Sequence, residues 1–329
     1  MTSCTSWWST RAPARTRSPR PSRSTSATSP SSRPGARPTR ASADRGQAAV
    51  SSPFGADRTC GVIGHPAHHS LSPVMHRAAY AALGLDWDYE WHDVTPDDLA
   101  GFVAGLDGNW RGLSVTMPHK EAIIAFGHPD EVVTLTGAGN TLLLGPHPSV
   151  HNTDVAGVVN AVGLRREGVR TVTIVGNGAT ARSGLVGAAR LGAQSATVLA
   201  RRPERAAGMV DLGAAVGVAV DVLPLTATPP RTDLLLSTVP TTGIADHALR
   251  LAATAELLFD AVYDPWPTPL GEAAEQTGTP ILSGLHLLAG QAVDQVRLMT
   301  GLDIDLATLL DAGRAELARR SRRSANGGV

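Results

Sequence analysis

Thr171-Val-Thr-Ile-Val175 runs straight into Gly176-Asn-Gly-Ala-Thr-Ala181 and then into a helical pattern that ends near Leu191. A buried strand, a glycine turn and a helix in immediate succession constrain the chain path more than any other segment. The first glycine permits the tight turn. The second lets backbone approach a pyrophosphate, and the third position, here Ala181, needs only a small residue for helix–strand packing. The free N–H groups and the positive dipole end of the helix then face the phosphates. A glycine-rich strand–helix turn can also be purely structural, so its context matters. Further strands are expected at Ser195–Leu199, Val216–Val222, Leu234–Ser237 and Leu257–Phe259, with a helix at Val155–Glu167 ahead of them. This is a βαβ series of Rossmann type, which makes Gly176, Asn177, Gly178, Ala179 and Thr180 candidate cofactor-binding residues.

The end of the next strand bears on which dinucleotide would bind. An acid there would hold a ribose hydroxyl. This chain reads Ala200-Arg-Arg-Pro-Glu-Arg205. Arg201, Arg202 and Arg205 suit a 2′-phosphate, which guanidinium groups bind through charge-assisted hydrogen bonds. The plainer reading is a solvated basic turn in which Glu204 pairs a neighbour. The position after the second strand favours NADP.

Upstream, Arg58–Ile63 is strand-like, and Pro73–Leu83 is a helix closed by Gly84. Asp86–His92 alternates as a strand, Thr95 is placed to cap a helix with Pro96 at its first position, and Gly112–Val115 is a third short strand. Strands alternating with helices predict a second α/β unit with a largely parallel sheet. Two closing helices are expected at Gly284–Thr300 and Leu306–Arg320. The 329 residues, 42% hydrophobic and 18% charged, suit two globular cores.

The zero net charge hides an asymmetry. Residues 1–45 hold nine arginines and one acid, Asp44, while the remaining 284 residues carry a formal charge of −8. An acidic body argues against nucleic-acid binding. The basic Ser/Pro/Thr/Arg-rich segment lacks apolar periodicity and is expected to be a disordered tail or the product of a start codon set upstream. A transit peptide or a nucleic-acid-binding arm are the other readings. Cys4 and Cys60 have no metal-ligand spacing, so neither a metal nor a disulfide framework is expected. No apolar run approaches the ~18–20 residues of a membrane helix.

Among 28 arginines stands one lysine, Lys120, in Ser114-Val-Thr-Met-Pro-His-Lys120. What arginine does poorly is present a compact ammonium that donates and accepts a proton, and that is the task left to Lys120. Asp154, closing His151-Asn-Thr-Asp154, is either a helix cap or the partner that orients this amine. Ser70 and Ser72 precede a helix, where they either cap it or hold a carboxylate. Gly139-Asn140-Thr141 is a turn or a polar contact. His65, His68 and His69 cluster without a second ligand set and read as a loop.

Taken in order, Gly61-Val-Ile-Gly-His-Pro66, Ser70-Leu-Ser-Pro73, Val115-Thr-Met-Pro-His-Lys120, Gly137-Ala-Gly-Asn-Thr141, Asn152-Thr-Asp154, the glycine loop and Arg201 closely resemble the shikimate dehydrogenase family. Asp260-Ala-Val-Tyr-Asp-Pro265, Thr268-Pro-Leu270, Gly284-Leu-His-Leu-Leu288 and Gln291 extend the resemblance over Thr59 to Gly301. It implies an α/β fold of two domains: a substrate-binding catalytic domain over 56–153 plus 285–320, and an NADP-binding Rossmann domain over 154–284. Tails are expected over 1–55 and 321–329. The family implies NADPH-dependent reduction of 3-dehydroshikimate by a cytoplasmic monomer or homodimer, with a small-molecule substrate and no nucleic-acid or membrane partner. Lys120 and Asp154 would be catalytic. Ser70, Ser72, Thr116, Asn140, Tyr263 and Gln291 would contact substrate, and Ala261 and Gly284 would flank the nicotinamide. Ser114, Ala200, Arg202 and His286-Leu287 depart from the common family residues. A broader quinate/shikimate dehydrogenase, a non-catalytic shikimate-sensing regulator and a folate-type bifunctional dehydrogenase are the rival readings; Ser70-Leu-Ser72 and Asn152-Thr-Asp154 do not suit the last.

Overall fold

A computed structural model describes residues 52–326 apart from residue 56. The tail expectations for residues 1–51 and 327–329 lie outside the described residues. Five of the six residues of β1 (Thr59–Gly64) are buried, as expected of an interior strand. After β1 come α1 (Ser72–Ala82), β2 (Asp88–Asp93), α2 (Leu99–Ala104), β3 (Trp110–Val115), β4 (His128–Pro129), α3 (Glu131–Thr136), β5 (Thr141–Leu143) and β6 (Ser149–His151). These strands form one sheet in the order β2-β1-β3-β5-β6-β4.

β1 is parallel to β2 and β3, but β5 is antiparallel to both β3 and β6. The sheet is therefore mixed where a largely parallel one is expected. β5 and β6 have three residues each, too few for alternation to show in the sequence. Thr95 does not cap α2. Its hydroxyl donates to Asp98 Oδ2 at 2.6 Å, and the helix begins only after that turn, at Leu99.

The second sheet follows α4 (Asp154–Gly163). Its remaining elements are β7 (Thr171–Val175), α5 (Ala179–Arg190), β8 (Ser195–Ala200), α6 (Ala207–Ala215), β9 (Ala219–Pro224), β10 (Thr232–Ser237), α7 (Ala248–Ala252), β11 (Ala255–Asp260), α8 (Pro269–Thr277) and β12 (Ile281–Leu282). All pairings are parallel, in the order β12-β11-β10-β7-β8-β9. This is the doubly wound Rossmann order, with its switch point between β7 and β10. Val155, Val158, Leu185 and Val186 of α4 and α5 pack on one face, while Ile244, Leu251 and Leu270 cover the other. β9 starts three residues later than expected, because Gly217 at φ +74° belongs to the turn that ends α6.

The chain then returns to the first sheet through α9 (Gly284–Thr300) and α10 (Leu306–Asn326). Leu285, Val296, Met299, Leu309 and Leu310 join Val62, Met75, Tyr80 and Tyr89 in one core. Where α9 crosses α4, a Cβ on Gly290 would come within 2.6 Å of Gly157 O, so the close approach requires glycine.

Both tail boundaries move. α10 continues through 321–326, past the expected end at Arg320. Glu316 holds Arg319 and Arg320 one turn on, and no glycine or proline follows Gly313 before Gly327. At the other end, Ser52 is buried and its hydroxyl donates to Thr300 O at 2.8 Å. Arg111 lies 3.8 Å over the Phe54 ring. Residues 52–55 thus pack on the fold. No helix among the described residues is long and apolar enough to cross a membrane.

Candidate active site

β3 delivers Thr116 and, after a turn, Lys120 to the C-terminal edge of the first sheet. Lys120 Nζ lies 2.5 Å from Asp154 Oδ2. Both side chains are largely buried. Asp154 is the first residue of α4, whose cap is Thr153 and makes no side-chain cap bond. The carboxylate is therefore turned to the lysine and away from the helix it opens. Its other oxygen accepts from Asn140 Nδ2 at 2.9 Å, and Asn140 also donates to Gln291 Oε1 at 2.6 Å. Asn140 Oδ1 accepts from the Thr153 backbone at 2.8 Å, which fixes the loop ahead of α4. Asn152 adds a second clamp, donating to Ala138 O, Thr136 and, on α5, Ser183.

A cavity of about 110 Å³ opens beside this pair. Ser70, Ser72, Thr116, Lys120, Tyr263 and Gln291 line it, and Asn140 and Asp154 adjoin that lining through hydrogen bonds to Gln291 and Lys120. Ser72 is not a cap: the cap position of α1 is Leu71, and the Ser72 backbone donates to Ser70 Oγ at 3.2 Å. Burial pushes the Tyr263 hydroxyl above its ordinary pKa. Ser114 and Gln295 also line the cavity. Gln295 Oε1 accepts from Ser114 at 2.9 Å and meets His76 Nε2 at 3.3 Å. Gln295 Nε2 donates to Thr141 at 3.0 Å. Sequence reasoning missed Gln295. Its signal is the Gln291-x-x-x-Gln295 spacing, which places both amides on one helix face.

A larger groove of about 560 Å³ lies at the switch point. Gly176, Asn177, Gly178, Arg201, Arg202 and Arg205 line it from one side and Thr238, Val239 and Pro240 from the other. Gly176 has φ +111°, and a Cβ there would meet Thr238 Oγ1 at 2.5 Å. Gly178 is the cap residue of α5, with open space where a Cβ would be, no side-chain cap and no acid in the first turn. The free N–H groups of α5 therefore suit a diphosphate. A fourth arginine of the lining, Arg182, is paired with Glu121, whereas no ion pair among the described residues engages Arg201, Arg202 or Arg205, which leaves those three for a phosphate. Ala179 and Thr180 line a third space of about 280 Å³ that also touches Thr116 and Lys120, so the groove and the smaller cavity adjoin.

Ala261 and Gly284 line none of these three spaces. A Cβ on Gly284 would come 2.1 Å from Ala261 O, which gives the glycine a packing role. His65 pairs with Asp93 at 2.6 Å, and among the described residues no group of three or more His, Cys, Asp or Glu is placed to hold a metal.

A doubly wound dinucleotide sheet beside a second α/β sheet, with an amine–carboxylate pair where their pockets adjoin, defines a two-domain dinucleotide-dependent oxidoreductase. Residues 62–142 match the family model described as the shikimate dehydrogenase substrate binding domain. The shikimate dehydrogenase (NADP(+)) of Methanothermobacter thermautotrophicus is 34% identical over 284 residues, covering 80% of this chain and 99% of that protein. The crystal structure of Mycobacterium tuberculosis shikimate dehydrogenase superposes with a TM-score of 0.74 at 39% identity, covering 78% of this chain and 99% of the other. The Thermus thermophilus shikimate 5-dehydrogenase, solved with NADP(H) and shikimate, gives a TM-score of 0.68 at 27% identity over 78% and 99% of the two chains. The chain belongs to the shikimate dehydrogenase family.

Proposed function

We propose that this chain is a cytoplasmic NADP-dependent shikimate dehydrogenase that interconverts 3-dehydroshikimate and shikimate in aromatic amino-acid biosynthesis. The observation that carries the reading is the buried Lys120–Asp154 pair, set between the hydroxyl-lined cavity and the arginine-lined groove. NADPH held in that groove would supply the hydride.

As the ring C3 carbonyl is reduced, negative charge grows on its oxygen. The Lys120 ammonium stabilises that charge and donates its proton, leaving a neutral amine and an alcohol. In the reverse direction the amine takes the alcohol proton. Asp154, fixed by Asn140, orients the lysine and accepts a hydrogen bond from a ring hydroxyl. Ser70 and Ser72 hold the carboxylate, with Tyr263 on the same wall, and Thr116, Asn140 and Gln291 meet the remaining ring oxygens. Arg201, with Arg202 and Arg205, selects the 2′-phosphate.

A spectrophotometric assay of shikimate and of quinate, each with NADP and with NAD, tests the reading. Turnover greatest for shikimate with NADP is expected. Quinate turnover equal to that of shikimate would broaden the substrate class. Absence of turnover with all four pairs would overturn the reading.

A further inference from the structure

Arg320 lies on α10, outside the cavity, yet its guanidinium reaches the loop that carries Ser70. Arg320 Nη1 donates to His69 O at 2.8 Å and Nη2 to Ser70 O at 3.4 Å. Its Nε donates to Glu316 Oε1 at 2.9 Å. Glu316 is 9% exposed and also receives two hydrogen bonds of 2.6 Å from Arg319. One carboxylate thus sits between two guanidiniums, and the trio carries one net positive charge. The field of Arg320 reaches the cavity wall, where it opposes the rise that burial imposes on the Tyr263 hydroxyl.

Apart from the imidazole of His69, the cavity lining has no charge that is left unmatched. Lys120 is the one lysine or arginine among the lining residues, and Asp154 matches it at 2.5 Å. Ser70, Ser72 and Tyr263 offer neutral hydroxyls. A carboxylate bound there is desolvated, and neutral donors offset only part of that cost. A fixed cation one peptide layer behind Ser70 supplies the missing counter-charge. Its tether keeps it there: the guanidinium is held at once by Glu316 and by the His69 and Ser70 carbonyls, while the Ser70 N–H is used locally, on Ala67 O.

We infer that Arg320 is a positioning residue whose guanidinium, held by Glu316 and by the His69 and Ser70 carbonyls, provides the positive charge of the substrate carboxylate subsite. This rests on the shikimate reading above. The full chain and its Arg320→Ala and Arg320→Lys variants are compared on shikimate and on its methyl ester, whose carboxyl carries no charge.

Arg320→Ala should raise the shikimate KM roughly ten-fold or more, with kcat within about two-fold and the NADP KM unchanged. Arg320→Lys should recover part of the loss. On the methyl ester the variants and the parent should differ by less than about two-fold, because no charge remains to be matched. An equal penalty on acid and ester would overturn the inference and leave Arg320 a fastener of the loop. An unchanged shikimate KM would overturn it outright. Calorimetric binding of shikimate separates this from the functional reading. Binding without turnover overturns the reaction, while the Arg320→Ala change in Kd still decides the charge. No binding by the parent chain overturns both.

Discussion

Asp154 Oδ2 meets Lys120 Nζ at 2.5 Å while Oδ1 of the same carboxylate accepts from Asn140 at 2.9 Å. One carboxylate therefore orients the amine and is itself oriented. Lys120→Arg keeps the charge but fixes it, since a guanidinium stays protonated, and it puts a planar fork where a compact ammonium fits. Steady-state kinetics should show kcat for shikimate lowered roughly 10²–10⁴-fold with a much smaller change in KM. A near-normal kcat would make Lys120 an electrostatic anchor and send the proton by another route.

Arg201 lines the groove beside Gly176 and Gly178. Arg201→Ala should weaken NADP by about 1.5–3 kcal/mol, the worth of a charge-assisted phosphate contact, and leave the NAD KM nearly unchanged. Equal effects on both cofactors would assign the arginine to the fold.

Much of this architecture is legible in the sequence because its signals are local. A strand, a glycine turn and a helix lie within Thr171–Leu191, and the solitary Lys120 stands out by contrast with 28 arginines. Short elements are not legible: β5, β6 and β12 span two or three residues, below the length at which alternation carries information. Asp154 and Ser72 are ambiguous in sequence because a helix cap and a ligand use the same residue types at the same place. Only the third dimension shows which group each oxygen faces. Gln295 and Arg320 escape for a related reason. Each acts through partners more than 150 residues away, Gln295 on Ser114 and Thr141 and Arg320 on the Ser70 loop.

The N-terminal edge of the fold predicts a stability step. Ser52 bonds Thr300 O, Phe54 lies under Arg111, and Trp87 Nε1 donates to Gly55 O at 3.2 Å. A chain beginning at Asp57 loses all three contacts, and one beginning at Ser52 keeps them. The shorter chain should be less stable by about 2 kcal/mol or more, a drop of several degrees in Tm by calorimetry. Equal melting temperatures would return residues 52–55 to the tail expected over residues 1–55.

His76 predicts a pH dependence of stability. It is fully buried, stacked on Tyr89 with ring centroids 4.1 Å apart, and its Nε2 meets Gln295 Oε1 at 3.3 Å. The amide oxygen is an acceptor, so Nε2 carries the proton and Nδ1 keeps its lone pair. Nδ1 has no partner. Protonation would place a charge and an unmatched N–H in the core. Burial accordingly lowers the pKa from 6.5 to about 4, with Gln295 opposing part of the shift. The folded value lies below the unfolded one, so between them the unfolded chain binds more protons and stability rises with pH. The contribution is in place above about pH 6.5 and is lost as pH falls toward 4, amounting to about 3 kcal/mol over the window. Burial also lowers the pKa of His286, which acts in the same direction, so the test is a difference. His76→Phe keeps the stacking on Tyr89 and removes the titration. Urea unfolding at several pH values should show the variant somewhat less stable at pH 7, with a visibly shallower loss between pH 6.5 and 4. Parallel profiles for the two proteins would mean that His76 titrates as freely in the fold as in the unfolded chain.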